Sequence, residues 1–386
     1  MNQHAEIDRS QCVPGSPFEA AVALAGLTSM GVGGSARRAI RLPSDVQRAQ
    51  TVLAELSSPP TFVLGGGTNV LAADDGTDEL VAYFDDHHWC EDLGNGKYRV
   101  SANLPLGDLV TVASAAGWFG VERLAGIPGS VGGAVVQNAG AYHQELGHRV
   151  IEVEWIRLDT GEAGVFTQDE CGFGYRDSRF KRAPGRWLIV RCTVQLLPTG
   201  ELPESAEVLA AIDIERAVEV ARTEAAVISA AIVRVREGKD HILSSTSRSA
   251  GSFFMNPRFE SAEPELARII AVFETRRDAM VAAGADWIRA DADPRRYLDG
   301  DVVELIAGFL IGTATDVSEL DRAFSPGRTF GALRLGSAGA NTIINDADAT
   351  AAEVVALARD MRSRVSTAFG IALQLEVVLL GDIAVE

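Results

Sequence analysis

Four polar residues stand in surroundings that could do chemistry on a small anionic molecule. Arg176, in Gly174-Tyr175-Arg176-Asp177-Ser178, is a guanidinium beside an aromatic ring in a glycine-started turn. Such a fork can hold a carboxylate through two parallel hydrogen bonds; the plainer reading is a surface turn with an Arg–Asp pair. Ser252 lies in Ser249-Ala250-Gly251-Ser252-Phe253-Phe254. As a nucleophile it would need a base, and no G-x-S-x-G elbow is present. As a proton donor, its weakly acidic hydroxyl suits a strongly basic carbanion; as an ordinary residue it is a turn serine. Lys239 either neutralises a diphosphate or is solvated. Glu376 interrupts an apolar run, which costs free energy unless the carboxyl is a functional acid with a raised pKa or faces water from an edge strand.

Three glycine-anchored segments could bring a ligand to these groups. They are Gly65-Gly66-Gly67-Thr68-Asn69, Ile127-Pro128-Gly129-Ser130-Val131-Gly132-Gly133, and Gly251-Ser252-Phe253-Phe254-Met255-Asn256-Pro257. Glycine allows positive φ and close backbone approach, so main-chain N–H groups can point into one small space. The first two suit a phosphate-rich cofactor. The third, with a hydroxyl and an amide among aromatic rings, suits a substrate pocket. The G-x-G-x-x-G fingerprint is absent, since Val70 stands at its third glycine, and there is no Walker A sequence. A different fold must hold the phosphates.

The elements that position these segments mix helix and strand. Residues 1–26 read as an extension. Ser44 and Gln47 form a capping-box pair for a helix carrying Val46, Ala49, Val52, Leu53 and Leu56, which Pro59-Pro60 ends. Thr61 to Leu64 is a short buried strand that runs into the triple glycine. Tyr98 to Val100, Glu152 to Arg157 and Trp187 to Leu197 read as strands, and Leu106 to Ala116 as a helix. Residues 206–236 read as one long helical stretch, and 285–301 as a polar loop or insertion. Thr350 with Glu353 caps a last helix with a Val354, Leu357, Met361, Val365, Ala368 stripe; Gly370 stops it, and Ile371 to Leu380 forms a strand.

At 386 residues the chain is long enough for two or three domains, and 47% hydrophobic with 23% charged residues is the balance of a globular protein. Its net charge of -18 repels nucleic acid and anionic lipid, so neither is an expected partner. Cys12, Cys90, Cys171 and Cys192 are scattered and the histidines lack ligand spacing, which argues for a reducing compartment and no metal. The longest apolar runs fall short of a membrane span, and Met1 to Pro17 does not resemble a secretory signal. A cytoplasmic location follows.

Together these segments resemble the UDP-N-acetylenolpyruvoylglucosamine reductase (MurB) family of flavoenzymes. The resemblance runs from about Thr28 to Gly381. It rests on Thr28-Ser29-Met30-Gly31-Val32-Gly33-Gly34, Gly65 to Asn69, Leu124 to Tyr142, Gly174 to Ser178, Ser249 to Pro257, and Phe369 to Val377 in the family's order. It implies an α+β protein: a two-lobed FAD-binding domain of the vanillyl-alcohol-oxidase/PCMH type, then a MurB C-terminal α+β substrate domain. The implied boundaries are an extension to 26, FAD lobes 27–90 and 91–240, and a substrate domain 241–386 whose last strand returns towards the FAD lobes.

By that resemblance FAD and NADPH are the cofactors and a UDP-sugar enolpyruvyl ether is the substrate, in peptidoglycan precursor synthesis, by a monomer or weak oligomer. FAD contacts would come from Gly65, Gly66, Gly67, Thr68, Asn69, Ile127, Pro128, Gly129, Ser130, Gly132 and Gly133, with Gln137, Asn138, Ala139, Gly140 and Ala141 lining it. Arg176 and Glu376, the latter protonated, match the family's enolate-stabilising pair, and Ser252 its carbon-protonating serine. Tyr175, Lys239 and Asn256 match positions near substrate. The chain departs from the family at Met255, Val303 to Phe309, Leu335 to Asn341 and Leu373 to Val378, all in the substrate lobe. Those departures also fit a diverged flavin reductase with another substrate, and a flavin or nucleotide-sugar binder without turnover is the third reading.

Overall fold

The computed structural model describes residues 18–85, 87–218, 223–239, 248–298 and 301–385. It divides into two compact units, each built from separate stretches of sequence. The first holds residues 18–24, 35–67 and 76–237; the second holds 25–34, 68–75 and 238 onward.

In the first unit, strands Phe18–Ala23, Ser35–Leu42, Thr77–Phe84 and Phe62–Leu64 form one sheet in that spatial order. Only the Phe18–Ala23 pairing is antiparallel. A second, antiparallel sheet runs in the order Ala163–Thr167, Val150–Arg157, Trp187–Gln195, Lys97–Ser101, Cys90–Asp92. Ile40, Leu42, Leu80 and Ala82 pack with Ile156, Leu188 and Val190 in one core. Ile189, Cys192 and Val194 join a second core with helices Leu106–Ala115, Val131–Gln137 and Glu224–Glu237. Trp187–Gln195 is therefore apolar on both faces because both are covered.

Several expectations change here. Phe18–Ala23 is an edge strand, not part of an extension: a backbone ladder to Ser35–Leu42, with Phe18 against the core and Glu19 bonded to Tyr83 and Arg41, holds it, and six residues of mixed exposure leave little apolar pattern to read. Residues 1–17 of the expected extension, and Cys12, lie outside the described residues. The helix expected to start at Ser44 starts one residue later. Asp45 is its cap, accepting from the Arg48 N–H at 2.9 Å, while Ser44 donates to the His87 carbonyl. The long helical stretch is two helices, Ala206–Val218 and Glu224–Glu237, the second started by Thr223, whose hydroxyl accepts from the Ala226 N–H.

The second unit contains the antiparallel sheet Arg248–Ser252, Gly339–Asn345, Leu333–Gly336, Thr329–Phe330. It also has a three-stranded sheet, Arg258–Glu260, Val302–Leu305, Arg295–Tyr297, and a parallel pair, Val70–Ala72 with Val378–Leu380. Helices Pro264–Ala282, Ala307–Thr313 and Ala351–Phe369 bury Ile269, Phe273, Leu310, Leu357, Met361 and Val365 around Phe253 and Phe254. The last helix has the expected Thr350–Glu353 capping box and the Gly370 stop, at φ +73°.

The strand expected over Ile371 to Leu380 shrinks to Val378–Leu380, with an isolated bridge between Leu375 and Phe254 before it. The polar 285–301 stretch belongs to the fold. Ala285, Ile288 and Ala292 are buried while its charges pair outward, Arg289 with Asp291 and Arg295 with Asp293, so composition hid its inner face. Residues 299 and 300 of that stretch are outside the description.

Candidate active site

In the first unit the strand Phe62–Leu64 delivers Gly65-Gly66-Gly67, and Ile127 to Ser130 leads into the helix Val131–Gln137. Ser130 caps that helix, its hydroxyl accepting from the Gly133 N–H at 3.3 Å. A Cβ on Gly66 would stand 2.7 Å from the Gly129 Cα and 3.0 Å from the Ser130 nitrogen. The two turns thus meet backbone to backbone. Among the described residues no acceptor meets the N–H of Gly66 or Gly129. Unspent N–H groups on two turns that meet this closely fit a diphosphate. On this observation the residues suit FAD.

The second cluster of the same unit is built round Arg176. Gly174 and Asp177 exchange backbone hydrogen bonds at 3.0 and 3.1 Å, which closes a turn with Tyr175 and Arg176 at its corners. Arg176 takes φ +50°, where glycine or asparagine is the usual occupant. Its Nη2 donates to the Gly140 carbonyl at 2.8 Å, and its guanidinium lies 5.4 Å from the centre of the Tyr175 ring. Of the six described non-glycine residues at positive φ, Arg176 lies in this turn, Tyr142 and His143 turn the hairpin of Gly140–Ala141 with Gln144–Glu145, and Asn138 caps the helix before that hairpin. Backbone strain gathered in this way is a common mark of functional sites.

Not all of the expected flavin-lining residues offer a side chain. Asn138 is buried and its amide is spent: Nδ2 donates to Glu145 Oε2 and the Gly174 carbonyl, while Oδ1 accepts from the Gly147 N–H. It holds the Arg176 turn against the end of the helix. Gln137 accepts a hydrogen bond from Lys181 Nζ at 2.6 Å. Gly140–Ala141 pairs with Gln144–Glu145 in a hairpin turned by Tyr142 and His143. Arg123 clamps that hairpin, donating to the Tyr142 carbonyl through Nη1 and to Gln144 Oε1 through its N–H.

In the second unit, Ser252 ends the strand Arg248–Ser252 and is exposed. The Glu376 N–H donates to the Phe253 carbonyl at 3.0 Å, and the Met255 N–H to the Gln374 carbonyl at 2.8 Å. Asn341 flanks the other side of the same segment. Its Oδ1 accepts from the Phe254 N–H at 2.9 Å and its Nδ2 donates to the Phe254 carbonyl at 2.7 Å. Glu376 is half-buried, neither in a strand nor fully enclosed. Its carbonyl accepts from Asn69 Nδ2 at 3.0 Å, so the Asn69 amide positions Glu376; Thr68 and Asn69 pack with this unit and Gly65 to Gly67 with the first.

Asn256, expected near substrate, is held internally. Its Oδ1 accepts from the Ala307 N–H, and its Nδ2 donates to Glu304, a buried carboxylate that also accepts from Arg258 and Arg296. Lys239 lies in a turn after the helix Glu224–Glu237, half-buried, and packs with the second unit.

Two family models match the chain. One is described as an FAD binding domain, over residues 36–164, and the other as UDP-N-acetylenolpyruvoylglucosamine reductase, C-terminal domain, over 243–380. A reductase of that name from Thermobifida fusca is 33% identical over 376 residues, covering 94% of this chain and 98% of the relative. The chain belongs to the UDP-N-acetylenolpyruvoylglucosamine reductase family. The Streptomyces coelicolor member is 31% identical over 93% of this chain and 89% of its own. The crystal structure of the Thermus caldophilus reductase (MurB) shares the fold, with a TM-score of 0.58 at 24% identity over 94% of this chain and 98% of that one. An FAD-binding domain thus precedes a MurB C-terminal domain, and the chain is a flavin-dependent oxidoreductase. Both glycine turns fall in the first matched stretch and Ser252, Asn256 and Glu376 in the second; Tyr175, Arg176 and Lys239 lie between them.

Sequence reasoning missed Lys181, Asn341 and Arg123 as organisers of these clusters. Lys181, a few residues past Arg176, reads as an ordinary turn lysine, and Asn341 stands in a stretch that departs from the family. The one available signal was an amide amid small residues opposite a glycine-rich strand, and it names no partner.

Proposed function

We propose that this chain reduces the enolpyruvyl ether of UDP-N-acetylglucosamine to UDP-N-acetylmuramate with electrons from NADPH, in the cytoplasmic stage of peptidoglycan precursor synthesis. The observation that carries the reading is identity of 33% with a reductase of that activity by name, along 94% of this chain. FAD, when bound, supplies the two-electron relay between NADPH and the methylene carbon of the substrate.

The chain's own residues do the rest. Breaking the carbon–carbon double bond leaves an electron pair on the carbon beside the carboxylate, delocalised as an enolate. Arg176, fixed by Gly140 and Tyr175, is the cation for that charge. Glu376 is the carboxyl assigned to the enolate by the family resemblance, and the Ser252 hydroxyl gives its proton to the carbon. Lys239 serves the substrate diphosphate, and Tyr175 and Asn256 match positions near substrate.

Two half-reactions test this. In Ser252→Ala, NADPH should still bleach the flavin while product from the UDP-enolpyruvyl sugar falls by about 10³-fold or more. Unaltered product formation would remove Ser252 from the mechanism. A second reading, the same flavin chemistry on another substrate, is favoured by Asn256, whose amide is engaged by Glu304 and Ala307. Wild-type protein that NADPH bleaches but the UDP-enolpyruvyl sugar does not reoxidise would establish that second reading instead.

A further inference from the structure

Lys181 had no role in the chemistry read from the sequence, yet its ammonium joins two parts of the first unit that the reaction needs. Nζ donates to Gln137 Oε1 at 2.6 Å and to the Arg176 carbonyl at 2.8 Å. Its backbone is pinned as well: the Lys181 N–H donates to Ser178 Oγ at 3.1 Å, and that buried hydroxyl donates to the Val136 carbonyl at 2.7 Å. The lysine is therefore tied at both ends to the helix Val131–Gln137, and the direction of its side chain is set.

We propose that Lys181 is a positioning residue that sets the orientation of Arg176 and of the Gln137 amide; its use in catalysis rests on the reductase reading above. Arg176 occupies a left-handed corner, φ +50°, which a residue with a side chain keeps only when its surroundings hold it. The Asp177 side of that corner is the peptide whose oxygen meets the ammonium. A charge-assisted bond from an ammonium is stronger than one from a neutral donor, and here it holds the peptide plane that follows Arg176. Gly140 holds one end of the guanidinium and Tyr175 its face. Without Lys181 the corner peptide keeps only the bond from its Asp177 N–H to the Gly174 carbonyl, and the aim of the guanidinium loosens.

The same ammonium settles the Gln137 amide. An ammonium has three donors and no acceptor, so the amide must present its oxygen to it and direct its NH2 group elsewhere. Lysine, unlike a hydroxyl or a second amide, permits only that orientation. One cation thereby orders a residue of the FAD-binding domain and the arginine proposed for the substrate.

The test compares Lys181→Met and Lys181→Arg with wild type, each as holoenzyme. Hydrogen exchange, which is independent of any substrate, should show the amides of Gly174 to Asp177 exchanging faster in Lys181→Met and close to wild type in Lys181→Arg. In stopped-flow kinetics, reoxidation of the flavin by the UDP-enolpyruvyl sugar should slow roughly 10- to 100-fold in Lys181→Met, with bleaching by NADPH and flavin content retained and part of the loss recovered in Lys181→Arg. Unchanged exchange in Lys181→Met overturns the proposal. So does equal slowing of both half-reactions with loss of flavin, which marks a fold defect. If wild type itself is not reoxidised by the sugar, the reductase reading fails while the exchange result still decides the tether.

Discussion

Glu376 donates its backbone N–H to the carbonyl of Phe253 at 3.0 Å, so the acid proposed for the enolate is fixed one residue from the serine proposed to protonate it. Glu376 lies outside the strand Val378–Leu380, while Ser252 is the last residue of the strand Arg248–Ser252, opposite Thr342. What holds the segment between them on its other side is Asn341, whose amide closes on both the N–H and the C=O of Phe254.

Asn341→Ala should therefore act on catalysis at a distance from the reacting groups. Two hydrogen bonds to Phe254 are lost, costing about 2 kcal/mol of stability. Product formation should fall while NADPH still bleaches the flavin, and Asn341→Asp, which keeps the acceptor only, should lie between. Thermal unfolding and the two half-reactions check this; a variant as active and stable as wild type would show that the clamp is idle.

Arg176→Gly should separate stability from activity. Glycine tolerates positive φ, whereas alanine keeps the strain, so the glycine variant should be the more stable of the two by about 1 kcal/mol. Both should lose turnover. Urea midpoints give the comparison, and an alanine variant more stable than the glycine one would contradict the strained corner.

Gly66→Ala tests the cradle. The new methyl would stand 2.7 Å from the Gly129 Cα, which is backbone and cannot swing aside. FAD binding should weaken roughly tenfold or more, about 1.4 kcal/mol, with the apo-protein still folded by circular dichroism. Flavin content equal to wild type after gel filtration would show that the cofactor does not use this approach.

Cys192 gives a prediction in alkaline solution. Burial pushes its thiol pKa up from 9.0 to about 12, with smaller contributions from Cys171 and Cys90. A raised folded-state value means that the unfolded chain loses the proton first. The thiol's contribution to stability is therefore complete below 9.0 and lost as pH climbs to about 12. In Cys192→Ala the fall in unfolding free energy across that window should be shallower than in wild type, whatever the variant's starting stability. Parallel curves would mean that the thiol does not titrate on unfolding.

Local sequence was a good guide where local forces decide. The Thr350–Glu353 box, the Gly370 stop and the stripe of the last helix need only neighbours three or four residues away, and they are present except that Phe369 rather than Ala368 ends the buried stripe. The glycine turns were legible for the same reason, since positive φ at Gly67 and Gly129 is a property of the residue itself. The resemblance to the family could likewise be read from short motifs in order.

Folding over long separations decided the rest. Lys181 meets Gln137 across 44 residues of chain, Asn341 meets Phe254 across 87, and Asn69 meets Glu376 across 307. The edge strand Phe18–Ala23 and the inner face of 285–298 also gave no advance sign, because backbone pairing and one-sided burial leave composition unchanged. A sequence states which groups can donate, accept or carry charge. Which of them meet depends on loop closures whose entropy the whole core must offset, and that sum has no local signature.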